Sequence, residues 1–152
     1  MESCGIIYVA VGAKHFAEAI QSSRIVQAVM PGFPMTLFTD QATPSGLFDN
    51  VVPLEDAKLG SAAKIRPLTM SPYDKTLFLD TDTYMCQPCE DIFWPLEKYD
   101  IAVAHEVYRN EYMFESFPDA FPALNTGVIA FRKNQKTTDF FNAWEENYMA
   151  KF

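Results

Sequence analysis

A chain of 152 residues, 49% hydrophobic and 21% charged, carries enough apolar surface for one core, and no stretch is polar and repetitive enough for disorder. Twenty acidic against twelve basic residues leave a net charge of −8, which opposes the counterion release behind nucleic-acid affinity and excludes DNA and RNA as partners. No basic start followed by an apolar run marks a leader, no apolar stretch nears the roughly 20 residues that span a bilayer, and Cys4, Cys86 and Cys89 form no disulfide framework, which points to the cytoplasm.

Ile6 to Val11 is a β-rich apolar run ending at Gly12 and reads as a buried strand followed by a loop. A helix is expected from about His15 to Met30, where Phe16, Ala19, Ile20, Val26 and Val29 recur at helical spacing and Pro31-Gly32 ends the pattern. Met35 to Thr39 is a second strand, closed by Asp40 and the turn-rich residues up to Gly46, and Val51-Val52 suggests a short third. Ser61 to Met70 starts as a helix, although Pro67 disfavours helical geometry at Arg66. Ile92 to Leu96 reads as a helical turn, and Ile101 to Ala104 and Thr126 to Phe131 read as further buried strands. Thr137 to Met149 closes the pattern as a helix with Phe140, Phe141, Trp144 and Tyr148 on one face, the stripe that core packing requires. Alternating strands and helices imply one α/β domain over residues 1–152, with a layered, mostly parallel central sheet.

The most informative segment is Lys75 to Leu79, an apolar strand that delivers Asp80-Thr81-Asp82-Thr83 at its C-terminal end. Carboxylates at i and i+2 share a direction in extended chain, so both can approach one Mg²⁺ or Mn²⁺, an ion that keeps open positions for phosphate oxygens. Two anions this close without a cation would raise at least one carboxyl pKa and cost stability. The bland alternative is a solvated acidic turn that caps a strand. Cys86-Gln87-Pro88-Cys89 has redox or zinc spacing but lacks a second ligand pair, and neither His15 nor His105 has an evident mate.

Taken in order, Tyr8-Val9-Ala10-Val11-Gly12, Leu37-Phe38-Thr39-Asp40, Lys64, Leu77 to Thr83 and Leu124-Asn125-Thr126-Gly127-Val128-Ile129 resemble the GT-A glycosyltransferases, nearest the glycogenin and lipopolysaccharide galactosyltransferase group. The resemblance spans nearly the whole chain and implies a Rossmann-like domain that binds a nucleotide sugar across the C-terminal ends of its strands. It implies Asp80 and Asp82 as ligands of Mn²⁺ or Mg²⁺. Ala10, Val11, Gly12, Asp40, Lys64, Arg66, Asp80 and Thr81 would lie against the nucleotide, with Asp40 accepting from a uracil N–H of a UDP-sugar. Glu106, Asn125 and Thr126 would contact the donor sugar, and Glu106, Lys64 and Asn125 form the catalytic set.

The family usually continues into a segment that supplies a third metal ligand and much of the acceptor site, and this chain stops at Phe152. The expectation is therefore a minimal GT-A-like domain in which water or a neighbouring subunit of a homo-oligomer completes the coordination, with an unknown acceptor and slow hydrolysis of the donor as a second outcome. Asp80-Thr81-Asp82-Thr83 also matches the motif of haloacid-dehalogenase-type phosphatases, in which Asp80 would be a nucleophile and Asp82 an acid/base. A binding module that keeps the sugar-nucleotide site without its chemistry is the third reading.

Overall fold

The structure is a computed structural model that describes residues 2–42, 46–55, 63–106 and 123–150. Six strands form one sheet in the order β3-β2-β1-β4-β6-β5: β1 (Cys4–Ala10), β2 (Met35–Thr39), β3 (Asn50–Pro53), β4 (Lys75–Leu79), β5 (Ile101–His105) and β6 (Leu124–Arg132). Neighbours from β3 to β4 pair in parallel, whereas β6 runs antiparallel to both β4 and β5, so a single strand is reversed. β2 and β4 are buried at every position, which is why their sequences run apolar instead of alternating.

Helix α1 (Gly12–Val29) and a 3-10 helix (Glu90–Glu97) cover one face, where Ile6, Tyr8, Leu37 and Leu77 pack against Ala19, Val26, Phe93 and Leu96. Helices α2 (Ile65–Thr69) and α3 (Gln135–Met149) cover the other, where Ile7, Phe38, Phe78 and Phe131 meet Leu68 and Phe141. A sheet with helices on both faces is the layered α/β arrangement that the alternating pattern implies. Among the described residues no helix is long and apolar enough to cross a membrane.

Four local expectations change. No loop separates β1 from α1: the helix begins at Gly12, whose φ of +79° suits glycine and strains any other residue. Pro67 lies inside α2 at its third position, where a helix needs no backbone N–H partner. β6 begins at Leu124, two residues before the expected start at Thr126, so Asn125 lies within the strand. The aromatic stripe of α3 is only partly core: Phe141 is 1% exposed, whereas Phe140 is 52% exposed. Phe140 and Trp144 line an open apolar groove of about 380 Å³ beside β5 and β6. The turn residues 43–45 and the first two residues of the expected Ser61–Met70 helix lie outside the described residues.

Candidate active site at the strand-end rim

β1, β2 and β4 all end at one rim, and there a cavity of about 380 Å³ is lined by Val9, Val11, His15, Ala63, Lys64, Asp80, Thr81 and Asp82. Asp80 follows the last residue of β4 and continues the ladder, its N–H donating to the Gly127 carbonyl at 2.8 Å. The chain then turns: Thr83 donates its N–H (3.1 Å) and its hydroxyl (2.6 Å) to the Asp80 carbonyl. The two aspartates therefore stand on a turn and not on extended chain, and they share the cavity through its curvature instead of through strand alternation.

Lys64, immediately before α2, places its ammonium 3.1 and 3.2 Å from the two oxygens of Asp80, 3.5 Å from the Thr126 carbonyl and 5.7 Å from the centre of the Phe78 ring. Thr126 offers that carbonyl because β6 is irregular there. Val103 pairs with Ile129 and Ala104 with Asn125, so three extra residues of β6 bulge between the pairs. Bulges of this kind re-aim side chains beside functional sites. Here the bulge lets Asn125 turn back, its Oδ1 accepting from the Gly127 N–H at 2.8 Å while its Nδ2 donates to Glu106 at 3.1 Å. A methyl group on Gly127 would stand 3.1 Å from Asn125 Oδ1 and 3.2 Å from Asp80 Oδ2, so glycine lets the two side chains converge. The pairs Glu106–Asn125 and Lys64–Asp80 thus meet at the backbone of Gly127, whose N–H donates to Asn125 and whose carbonyl accepts from the Asp80 N–H.

The remaining sequence candidates divide. Val11 lines the cavity, but Ala10 is fully buried against the α1 face and can offer only backbone. Asp40 Oδ1 accepts from the N–H of Gly12 at 2.9 Å and from Gln41 Nε2 at 3.0 Å, and the first of these bonds holds its carboxyl below the usual range. Asp40 therefore caps α1 from the end of β2, since the N-cap Val11 has no side chain able to do so. Thr126 lines the apolar groove and not the cavity, and it meets Lys64 through its carbonyl. Arg66 leaves the rim and pairs with Glu145 of α3 at 3.2 Å. Cys86 and Cys89 are free thiols, and burial pushes the Cys89 thiol up, opposite to what a reactive cysteine needs.

Glu18 was not visible as a site residue, and His15 was visible only as a histidine without a mate. His15 Nδ1 lies 3.0 Å from Glu18 Oε2, and the Thr81 hydroxyl donates to the same oxygen at 2.9 Å. The Thr81 bond, followed by the His15 bond, holds the Glu18 carboxyl below its ordinary range. Both residues lie in the first two turns of α1, and His15 lines the cavity.

A family model for nucleotide-diphospho-sugar transferases matches residues 75–151, just over half of the chain. The chain belongs to that family. Its fold is that of the GT-A nucleotide-sugar glycosyltransferases. The galactosyltransferase LgtC, solved with donor and acceptor sugar analogues, superposes with a TM-score of 0.63 at 14% identity, over 91% of this chain and 59% of that one. The glycosyltransferase GlyE of Streptococcus pneumoniae TIGR4 gives 0.68 at 13% identity over 99% and 39%, and the bifunctional glycosyltransferase WbbM gives 0.54 at 13% over 95% and 34%. Such identities speak for the fold, and the chain spans less than two thirds of each of these proteins. No curated protein sequence matches it. Family membership leaves the phosphatase reading of Asp80 and Asp82 without support.

The donor set suits a hard divalent cation. Asp80 and Asp82 line one cavity with His15, and among the described residues no three histidine, cysteine, aspartate or glutamate side chains come together closely enough to hold a metal ion by themselves. Two protein ligands with the remaining positions left to water and phosphate is the coordination Mg²⁺-type ions adopt with nucleotides.

Proposed function

We propose that this domain is a metal-dependent glycosyltransferase that binds a UDP-sugar, or a closely related nucleotide sugar, at the strand-end cavity. The observation that carries the reading is the charge of that cavity: Asp80 and Asp82 against one ammonium, Lys64. An anionic cavity in a chain of net charge −8 repels a diphosphate unless a divalent cation joins them. Asp80 and Asp82 would hold Mn²⁺ or Mg²⁺, which supplies Lewis-acid stabilisation of the charge gathering on the departing nucleoside diphosphate. Lys64 adds a second positive charge beside the phosphates, so that the leaving group departs without a proton. Val11 and Gly12 offer backbone at a close approach to the nucleoside, the Thr81 backbone lies toward the ribose, and Asp40 keeps Oδ2 for a base N–H while Oδ1 caps α1. Glu106 and Asn125, already joined, orient hydroxyls of the donor sugar, with Thr126 contributing its carbonyl. Arg66, engaged with Glu145, has no part in the proposal. The free cysteines agree with a cytoplasmic setting.

The test is calorimetric titration with UDP and UDP-sugars in Mn²⁺, in Mg²⁺ and in chelator, followed by assay of nucleoside diphosphate release with water as acceptor. Nucleotide affinity that appears only with metal, together with release that stops in Asp82→Ala, is expected. Equal affinity in chelator removes the metal-dependent reading. Metal-dependent binding without product over hours replaces the enzyme with a binding module.

A further inference from the structure

Helix α1 carries His15, Glu18 and Ser22 at spacings of three and four, the period that normally makes an apolar stripe. This stripe is polar and meets the turn that carries Asp82. On one flank of Asp82 the Thr81 hydroxyl donates to Glu18 Oε2 at 2.9 Å. On the other, Ser22 donates to the Thr83 carbonyl at 2.7 Å, and the Tyr8 hydroxyl lies 3.0 Å from the same Ser22 oxygen. Thr81 is 7% exposed and Ser22 2% exposed, so both hydroxyls would cost stability without these partners. Asp82 itself is exposed, and among the described residues it forms no ion pair.

A short turn fixes its central side chain poorly, because each unconstrained dihedral adds entropy that a bound ion must then remove. Bracing both neighbours of Asp82 against an eighteen-residue helix removes that freedom in advance. We infer that Glu18 is a positioning residue: through Thr81, and with Ser22 on the far flank, it sets the direction in which Asp82 faces the cation. Glu18 is not itself a ligand in this account: Thr81 and His15 occupy its Oε2, Lys14 lies 3.8 Å from its Oε1, and it does not line the cavity with Asp80 and Asp82. The inference rests on the reading of the cavity as a metal and diphosphate site. It adds that metal affinity depends on a hydrogen bond between two groups that never touch the metal.

The experiment is Mn²⁺ binding in the presence of UDP, followed by electron paramagnetic resonance, with no turnover needed. Partners that orient metal ligands are typically worth tenfold or more in affinity, so Glu18→Ala and Thr81→Val are each expected to weaken Mn²⁺ binding by about tenfold. Glu18→Gln keeps an acceptor and Thr81→Ser keeps the hydroxyl, and both are expected to stay within about threefold of the parent. The double variant Glu18→Ala/Thr81→Val should be no worse than either single change, since both remove one interaction. Additive losses, or unchanged affinity in Glu18→Ala, overturn the inference while leaving the metal site standing. Loss in Glu18→Gln as deep as in Glu18→Ala, with Thr81→Val unaffected, makes Glu18 a ligand and also overturns it. A parent protein that takes up no Mn²⁺ with UDP removes both readings, and thermal melts of each variant exclude unfolding as the cause.

Discussion

The two rims of the sheet are both charged, and they use charge in opposite ways. Where β4 begins and β6 ends, Lys75 pairs with Glu97 and, at 3.0 Å, with Glu2, while Arg132 reaches Glu2 at 3.1 Å and Glu97 at 3.9 Å. Acids and bases there answer one another and tie the amino terminus and the 3-10 helix to the sheet. At the other rim Asp80 and Asp82 line one cavity with Lys64 as its single ammonium, so acid is in surplus there. A balanced cluster closes a structure, whereas an unbalanced one at a cavity is a place for a cation.

The difference breaks most visibly if the acid surplus is reduced. Asp80→Asn is expected to lower metal-dependent nucleotide turnover by at least about 100-fold, the scale on which single electrostatic groups act in a transition state. Its melting temperature should hardly move; a large fall with unchanged turnover would mean that Asp80 belongs with the structural charges. At the balanced rim the reverse is expected. Lys75→Met should lower the Tm at neutral pH, on the order of a few degrees, and leave UDP affinity alone.

Acid should reveal the same contrast. The Lys75 ammonium holds the Glu97 carboxyl below its ordinary value of 4.5, so the stabilisation is complete above that pH and is lost as pH falls through the lower folded value. Lys75 is raised from 10.5, first by its bond to Glu97, so its contribution is complete below that pH and is lost above the raised value. Urea midpoints measured from pH 6 down to pH 3 should fall less steeply in Lys75→Met than in the parent.

Smaller effects sharpen the picture. Gly127→Ala crowds Asp80 and Asn125 and should weaken Mn²⁺-dependent UDP binding several-fold with little change in Tm, a split that titration and melting read together. Gly12→Ala forces a side chain into the left-handed region and should cost about 1–2 kcal/mol, read as a lower urea midpoint. Nothing lies within 4 Å of its added methyl, so the cost is conformational and not steric.

Much of this was legible in the order of residues. β2, β4 and the placement of Asp80 at the end of β4 follow from apolar runs closed by polar residues, and the αβ layering follows from their alternation. Three things were not. Asp40 hides the start of α1, because the cap comes from another strand 28 residues away and not from a neighbour. The β6 bulge places Asn125 and Gly127 through pairing with β4 and β5, which no local pattern encodes. Glu18 and Ser22 carry no signal of their own in the helical pattern, since the path of Thr81 to Thr83 in the fold is what brings those partners to them. Arg66 shows the converse: a cation close in sequence to Lys64 faces the other way once α2 turns it toward Glu145.

The reversed direction of β6 has an evolutionary corollary. Because β5 finishes and β6 begins at the same edge as the ends of β1, β2 and β4, the chain leaves His105 and returns to Leu124 at the edge of the sheet that carries the strand-end cavity. Insertions there can be rewritten without disturbing a single rung of the ladder. A lineage built on this frame can rewrite one span of chain beside the strand-end rim, while the Asp80–Thr83 turn is inherited intact.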